Sequence, residues 1–393
     1  SGDCRMHAKR TGGRCPTRML DRPFHFIVVL WGRHFTNCFL EYCVPSLLSP
    51  GNLPALSTRQ RSKILIATTP QDWADIQSSN IFRSLKRYVD PVYLEISPCP
   101  KDKSGCQHMG VGHTIACKIA YDAKAYAAIL TPDCMLSDGT IRNLQKHAER
   151  GVQLVWVAAL RFGEEPFLGH LKAMRLIPDG SRRDSGSPLV ISGREMVRAG
   201  VNGMHSETLT YEWEAPYFHS VPSAVWWEVP GESGIVLHSL SWAPLLLDFA
   251  AVRAHDTSTL ENWTIDGDYA FKNLGTAAKV HVVQDSDEMF LCSWGPLADR
   301  AFDLKPRFNH RFNWVNSLLK GRELNAAFYG PYFDPLKRQF FFLPVHWHAN
   351  ELNEKCRQVE RKAQKILSIY LGGSSRKMIL NSPLTKSGSA GPV

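Results

Sequence analysis

Residues 127–139 read AAILTPDCMLSDG, an apolar run that reaches Pro132 and then presents Asp133 and Asp138, with Gly139 directly behind. A carboxylate at the end of a buried strand can hold a cation or orient a phosphorylated ligand. Asp138 has a plainer expected role: ahead of Gly-Thr-Ile at the head of a helix, its side chain would cap the free backbone N–H groups. In ENWTIDGDYAF (261–271), Asp266 and Asp268 bracket a glycine after Trp263. Either can serve as a general base if it comes within hydrogen-bond reach of a hydroxyl, and the alternative is an Asp-Gly turn with solvated acids. Asp268 is the preferred of the two, because Tyr269, Ala270 and Phe271 follow and would hold it at the edge of a packed element.

VHVVQDSDEMFLCSWG (280–295) sets three acids before Ser293 and Trp294. Close carboxylates raise one another's pKa and can share a metal, whereas on a surface loop they are simply solvated. His238, inside the apolar GIVLHSLSWAPLLLDF, reads as a hydrogen-bonded core histidine or as a ligand, with His219, His281, His346 and His348 competing for the second role.

These residues need a frame. The first half alternates short apolar runs (24–32, 63–70, 89–97, 127–133 and 152–160) with longer stretches of helical spacing, the pattern of crossover units around a mostly parallel sheet. Ile115, Ile119, Ala123 and Tyr126 mark one helix, and Ile141, Leu144 and Ala148 another, with Gly151 placed to end it. In open α/β sheets ligands bind beyond the carboxyl ends of the strands. Those ends carry Trp31, Gly32 and Arg33, then Thr68 and Thr69, then Thr131 and Asp133, then Arg161. An aromatic, small hydroxyls, a carboxylate and a cation at one edge suit a nucleoside diphosphate.

The second half is less regular and holds Trp213, Trp226, Trp227, Trp242, Trp263, Trp294, Trp314 and Trp347, each more simply a core residue than a sugar platform. Leu352, Cys356, Val359, Ala363, Ile366 and Tyr370 predict a closing helix that Gly372 and Gly373 stop. Residues 1–22 and 372–393 are polar, basic or Gly/Ser-rich and read as tails around a body divided into 23–160 and 161–371.

The strand IVVLWG, the helix HTIACKIAYDAKAYAA leading into ILTPDCMLSDG, and the later LVISGREMVRAG resemble nucleotide-sugar glycosyltransferases of the GT-A fold, most clearly over 24–200. The resemblance implies a Rossmann-type sheet, with the nucleotide sugar bound by 23–160 and a hydroxyl acceptor, a glycan or another, by 161–371. It places Trp31 on the base and makes His113 and Lys118 contacts for the sugar or diphosphate. Asp133 would address the diphosphate or a Mg²⁺ or Mn²⁺ ion, and His238 would be a late histidine in that shell. Asp268 or Asp266 would be the base toward the acceptor. Glu288, Ser293 and Trp294 are similar to the acid, serine and tryptophan of the toxin-like branch, at a different spacing. Where the family carries Asp-x-Asp, this chain reads Thr131-Pro132-Asp133, which leaves a poorer cation site. The alternative is leaving-group stabilisation by Arg161, Lys118 and His238.

Composition narrows the field. With 393 residues, 44% hydrophobic and 21% charged, the chain is globular rather than disordered. Its net charge of +9 favours anionic ligands and leaves peripheral contact with an anionic membrane surface as an alternative. Nucleic acid is not expected, since no zinc-finger spacing, RNP-type motif or helix-turn-helix signature occurs. Ten scattered cysteines without a C-x-x-C pair imply neither a zinc cage nor a disulfide framework, and a cytoplasmic setting is expected. No Walker loop, G-x-S-x-G or H-E-x-x-H occurs. A catalytically degenerate binder of nucleotide sugars or glycans is the second functional expectation.

Overall fold

The computed structural model describes residues 21–372 apart from 182, 183, 300, 301, 303, 332 and 334; most of both expected tails lies outside the described residues. Its strands are β1 (Phe24–Val29), β2 (Lys63–Thr68), β3 (Asp90–Glu95), β4 (Tyr126–Leu130), β5 (Cys134–Leu136), β6 (Leu154–Ala158) and β7 (Arg161–Gly163). They continue with β8 (Ala224–Val229), β9 (Gly234–Ser239), β10 (Trp242–Asp248), β11 (Val280–Val282), β12 (Leu291–Gly295) and β13 (Val345–His348).

Seven strands form the central sheet in the order β11-β6-β10-β4-β1-β2-β3. All run parallel except β10, which is antiparallel to both β4 and β6. The fold is mixed α/β, with a mostly parallel sheet flanked by helices. The five strands expected from apolar runs are its frame, and β10 and β11 from the second half complete it. Every residue of β1 is buried, as befits a strand covered on both faces. Alternate residues divide between the faces: Ile27, Val29, Leu65 and Ala67 pack into one core, and Phe26, Val28, Ile64 and Ile66 into the other.

The chain lays β2 and β3 outward from β1 and then returns to place β4 on the other side of β1. The reversal opens a crevice beyond the carboxyl ends of β1 and β4. Because β10 runs backwards, its first residue, Trp242, pairs with Ala158 at the end of β6 and reaches the same edge.

Helix Gly105–Asp122 covers one face. Ser104 caps it reciprocally with Gln107, at 3.2 and 3.0 Å. A Cβ on Gly112 would fall 2.7 Å from Val29 Cγ1 and 2.8 Å from Ala67 Cβ, and one on Gly110 would fall 2.0 Å from the Leu260 carbonyl oxygen. Glycine lets this helix lie wedged between the sheet and the segment 257–263.

Two small sheets, β5-β12-β7 and β13-β9-β8, fill the second half. Trp213, Trp227 and Trp294 are core residues there, while Trp263 and Trp314 are exposed. The expected closing helix is Glu354–Leu371, capped by Asn353. One local expectation is corrected. Gly139, at φ 91°, occupies the cap position of helix Thr140–Glu149 and its turn sends Asp138 away from the helix. Asp138 instead accepts hydrogen bonds from the Ser49 hydroxyl and, at 2.6 Å, from the Gly51 N–H, tying down the loop 49–51.

Candidate functional site

A cavity of about 380 Å³ opens at the carboxyl edge of the sheet. Thr131 follows β4, Arg161 opens β7, Trp242 opens β10, Ser293 lies in β12, and His113 and Asp266 close the sides. The small sheet β5-β12-β7 explains the convergence. Ser293 pairs with Cys134 on one side and Arg161 on the other, and the Trp294 N–H donates to the Asp133 carbonyl at 3.3 Å.

Arg161 is half-buried. Its backbone is pinned by Thr208, whose hydroxyl donates to the Arg161 carbonyl at 2.7 Å. Burial pushes the Asp133 carboxyl above the usual range, and the positive charge of Arg161 opposes that. Burial likewise raises Asp266, against the pull of Lys337, whose Nζ lies 3.8 Å from it. His113 is fully buried and held neutral, with a pKa of about 3, and its Nδ1 meets the Thr264 hydroxyl at 3.1 Å. His113 Nε2 and Trp242 Nε1, both on cavity-lining side chains, are buried without a hydrogen-bond partner.

The loop after β1 is fixed from β2. Asp72 accepts from the Gly32 N–H at 2.9 Å, the Thr36 hydroxyl at 3.2 Å and the Thr69 hydroxyl at 2.7 Å. Gly32 takes a positive φ of 82° to make this turn. Trp31 does not line the cavity; it packs edge-on against His108, centroids 4.7 Å apart, near the start of the helix that carries His113. Thr68 is fully buried beneath this loop, and Thr69 caps helix Pro70–Ser78.

Several expected site residues lie elsewhere. Lys118 points to solvent from the helix that carries His113 and pairs with Asp122 at 2.5 Å. Asp268 pairs with Lys337 at 2.9 Å and does not line the cavity, unlike Asp266. Trp294 is fully buried between Tyr42 and Phe167. Glu288 accepts from His147 at 2.6 Å and from His281 at 3.1 Å. His238 is a core histidine, as its apolar setting allows: its Nδ1 bonds to the Phe341 carbonyl at 2.9 Å, and burial lowers its pKa to about 4.

A hard cation needs a shell of oxygens. At Asp133 there is one carboxylate with a guanidinium beside it, and His238 is remote in the second half's small sheet, so these residues do not fit Mg²⁺ or Mn²⁺. Three groups among the described residues could hold a metal: His34, Cys38 and Glu164; His147, His281 and Glu288; and Asp285, Asp287 and His348. In the third, Arg194 already engages Asp287 at 2.7 Å, which makes it an ion-pair network.

Sequence reasoning missed Asp72, Glu207, Tyr211 and Glu164. Tyr211 donates to Glu207 at 3.2 Å in the cavity wall, and nothing local in the sequence marks that pair. His34 and Cys38 were missed as well, and their spacing of four residues was the one local signal that could have paired them.

No family model matches this chain, and no curated protein matches it. Among solved structures it is similar to a Bacillus anthracis protein described as a glucose-1-phosphate thymidylyltransferase in complex with sucrose, at 13% identity and a TM-score of 0.23. The match covers 37% of this chain and 57% of that one, so this chain spans little more than half of that protein's length. No described helix is long and apolar enough to cross a membrane.

Proposed function

We propose that the cavity binds a nucleoside diphosphate sugar and transfers the sugar to an acceptor hydroxyl. One observation carries the reading: at the crevice where strand order reverses, Arg161, Asp266, Thr131 and Ser293 line one cavity. In the reaction the bond from the anomeric carbon to the diphosphate oxygen breaks, and the electron pair leaves with the diphosphate. Arg161 offsets that charge, which replaces the work a metal would do. Asp266, whose raised pKa suits a base, takes the proton of the acceptor hydroxyl as its oxygen bonds to the anomeric carbon. Trp31, packed against His108 outside the cavity lining, takes a base that extends past the cavity's edge, and Asp133 orients Arg161 toward the diphosphate.

The test is a panel of nucleoside diphosphates and their sugars, read first as a rise in melting temperature and then as sugar transfer. Arg161→Ala is expected to lower turnover by about 10²- to 10³-fold. Asp266→Asn is expected to lower it by about 10²- to 10⁴-fold while leaving donor binding in place. A panel in which no nucleotide raises the melting temperature overturns the reading. Binding without transfer or donor hydrolysis makes the protein a binder only.

A further inference from the structure

We propose that His34, Cys38 and Glu164 form a site for a zinc-class divalent transition metal, beside Asp133. His34 and Cys38 lie one turn apart on helix Arg33–Cys38, and Glu164 meets them from the start of helix Glu164–Ala173. Their donor atoms all fall within 4.8 Å of one another. This inference goes beyond sugar transfer and does not depend on it.

Spacing is the first argument. His34 Nε2 lies 3.4 Å from Glu164 Oε2 and 3.8 Å from Cys38 Sγ. A tetrahedral zinc ion with bonds of about 2.0–2.1 Å to nitrogen, 2.0–2.2 Å to oxygen and 2.3 Å to sulfur sets its ligands roughly 3.4 Å (N to O) and 3.6 Å (N to S) apart. The two observed separations, both from His34, match edges of such a tetrahedron to within a few tenths of an ångström, and the Cys38 and Glu164 donor atoms lie within 4.8 Å of each other. The His34–Glu164 separation is too long for the strong charge-assisted hydrogen bond that pair could otherwise make.

Unmet bonding is the second. Glu164 Oε2 is buried and makes no hydrogen bond. Cys38 is in no disulfide and is 4% exposed, with the imidazole of His34 as a neighbour at 3.8 Å. A desolvated carboxylate oxygen with no donor is costly to keep, and a cation would satisfy it. The third argument is donor softness: a thiol and an imidazole with a single carboxylate select zinc-class metals over Mg²⁺ or Ca²⁺. Three protein donors leave a fourth position for water or an anionic oxygen. Asp133 is near enough to interact electrostatically with His34, Cys38 and Glu164, and it adds negative charge beside the metal.

The metal-free protein is titrated with Co²⁺ as a spectroscopic probe and then with Zn²⁺. The expected result is one equivalent bound, with a thiolate-to-cobalt band in the near ultraviolet, strong tetrahedral bands in the visible, and displacement by Zn²⁺. Cys38→Ser should abolish the thiolate band. The half-exposed His34→Gln, which leaves the core intact, should weaken binding by more than the roughly 10- to 100-fold that outer-shell changes cost. Cys106→Ser and His147→Ala should leave both signals unchanged. Absence of the thiolate band in the wild type, or affinity in His34→Gln within twofold of wild type, overturns the proposal. Loss of binding in His147→Ala with Cys38→Ser unaffected overturns it as well, by placing the metal at the other histidine group.

Discussion

Two groups in this molecule use similar side chains at different spacings. His147 and His281 stack with ring centroids 3.9 Å apart and both turn Nε2 onto Glu288, at 2.6 and 2.9 Å. Around Glu164 the nearest such contact is 3.4 Å and makes no hydrogen bond. The two carboxyls respond in opposite directions. Burial works against the charge of Glu288, but the hydrogen bonds from the two imidazoles outweigh it and hold the pKa down at about 2. Burial also works against Glu164, the charge of His34 does not outweigh it, and that pKa is raised. The first group completes itself and ties helix Thr140–Glu149 to β11 and the approach to β12. The second does not complete itself, so a separation of less than 1 Å divides a structural clamp from the proposed set of metal ligands.

The largest test of that contrast is a matched pair of substitutions in metal-free protein. Glu288→Gln should lower the unfolding free energy by about 2 kcal/mol, because one buried and one partly buried donor lose a charged acceptor. Glu164→Gln should change it by less than about 0.5 kcal/mol, or raise it. Urea denaturation measures both, and equal losses would erase the distinction.

A smaller effect lies in pH. Glu288 has a folded pKa below its unfolded value, so its stabilisation is complete above about 4.5 and disappears as pH falls toward about 2. Glu164, shifted up, destabilises the fold when ionised, and that penalty is relieved as pH falls through its raised pKa. The stability difference between wild type and Glu288→Gln should shrink in acid, while wild type should gain on Glu164→Gln, each with a slope of at most about 1.4 kcal/mol per pH unit. Difference curves are needed because His25, His113 and His238 are held neutral by burial, at about 4, 3 and 4. All three proteins therefore lose stability together as pH falls below about 6.5. The smallest expected effect is at His34, where His34→Gln in metal-free protein should cost under about 0.5 kcal/mol, since its contacts there are long and half-exposed. A larger loss would mean that the group already stabilises itself without metal.

The parallel frame was legible because buried strands are written as continuous apolar runs, and β1, β2, β3, β4 and β6 fall on the five expected segments. Strand order was not, because β10 pairs with β4 and β6 across more than 80 residues of intervening chain and no local pattern encodes its reversed direction. The site divided in the same way. Thr131, His113, Arg161, Ser293 and Asp266 could be picked out from strand ends and local motifs, and they do line one cavity. Asp268 and Lys118 were misplaced by the same local reasoning, since each finds its partner, Lys337 or Asp122, through side-chain geometry that periodicity does not report. Glu164 needed the fold itself, which brings it to a helix more than 120 residues earlier.

Helix Gly105–Asp122 has no room on either flank at Gly110 and Gly112. An alanine scan along it should therefore find a rigid ruler: side chains may change, but the rail cannot shift sideways or in depth. His113 and Met109 thus present a wall of fixed position, and adaptation to occupants of different size must come from other lining residues, among them Glu207 and Thr208 of the four-residue helix Ser206–Leu209 and Tyr211 just after it. A protein engineer wanting to change what the cavity admits should rewrite those residues and leave the ruler alone.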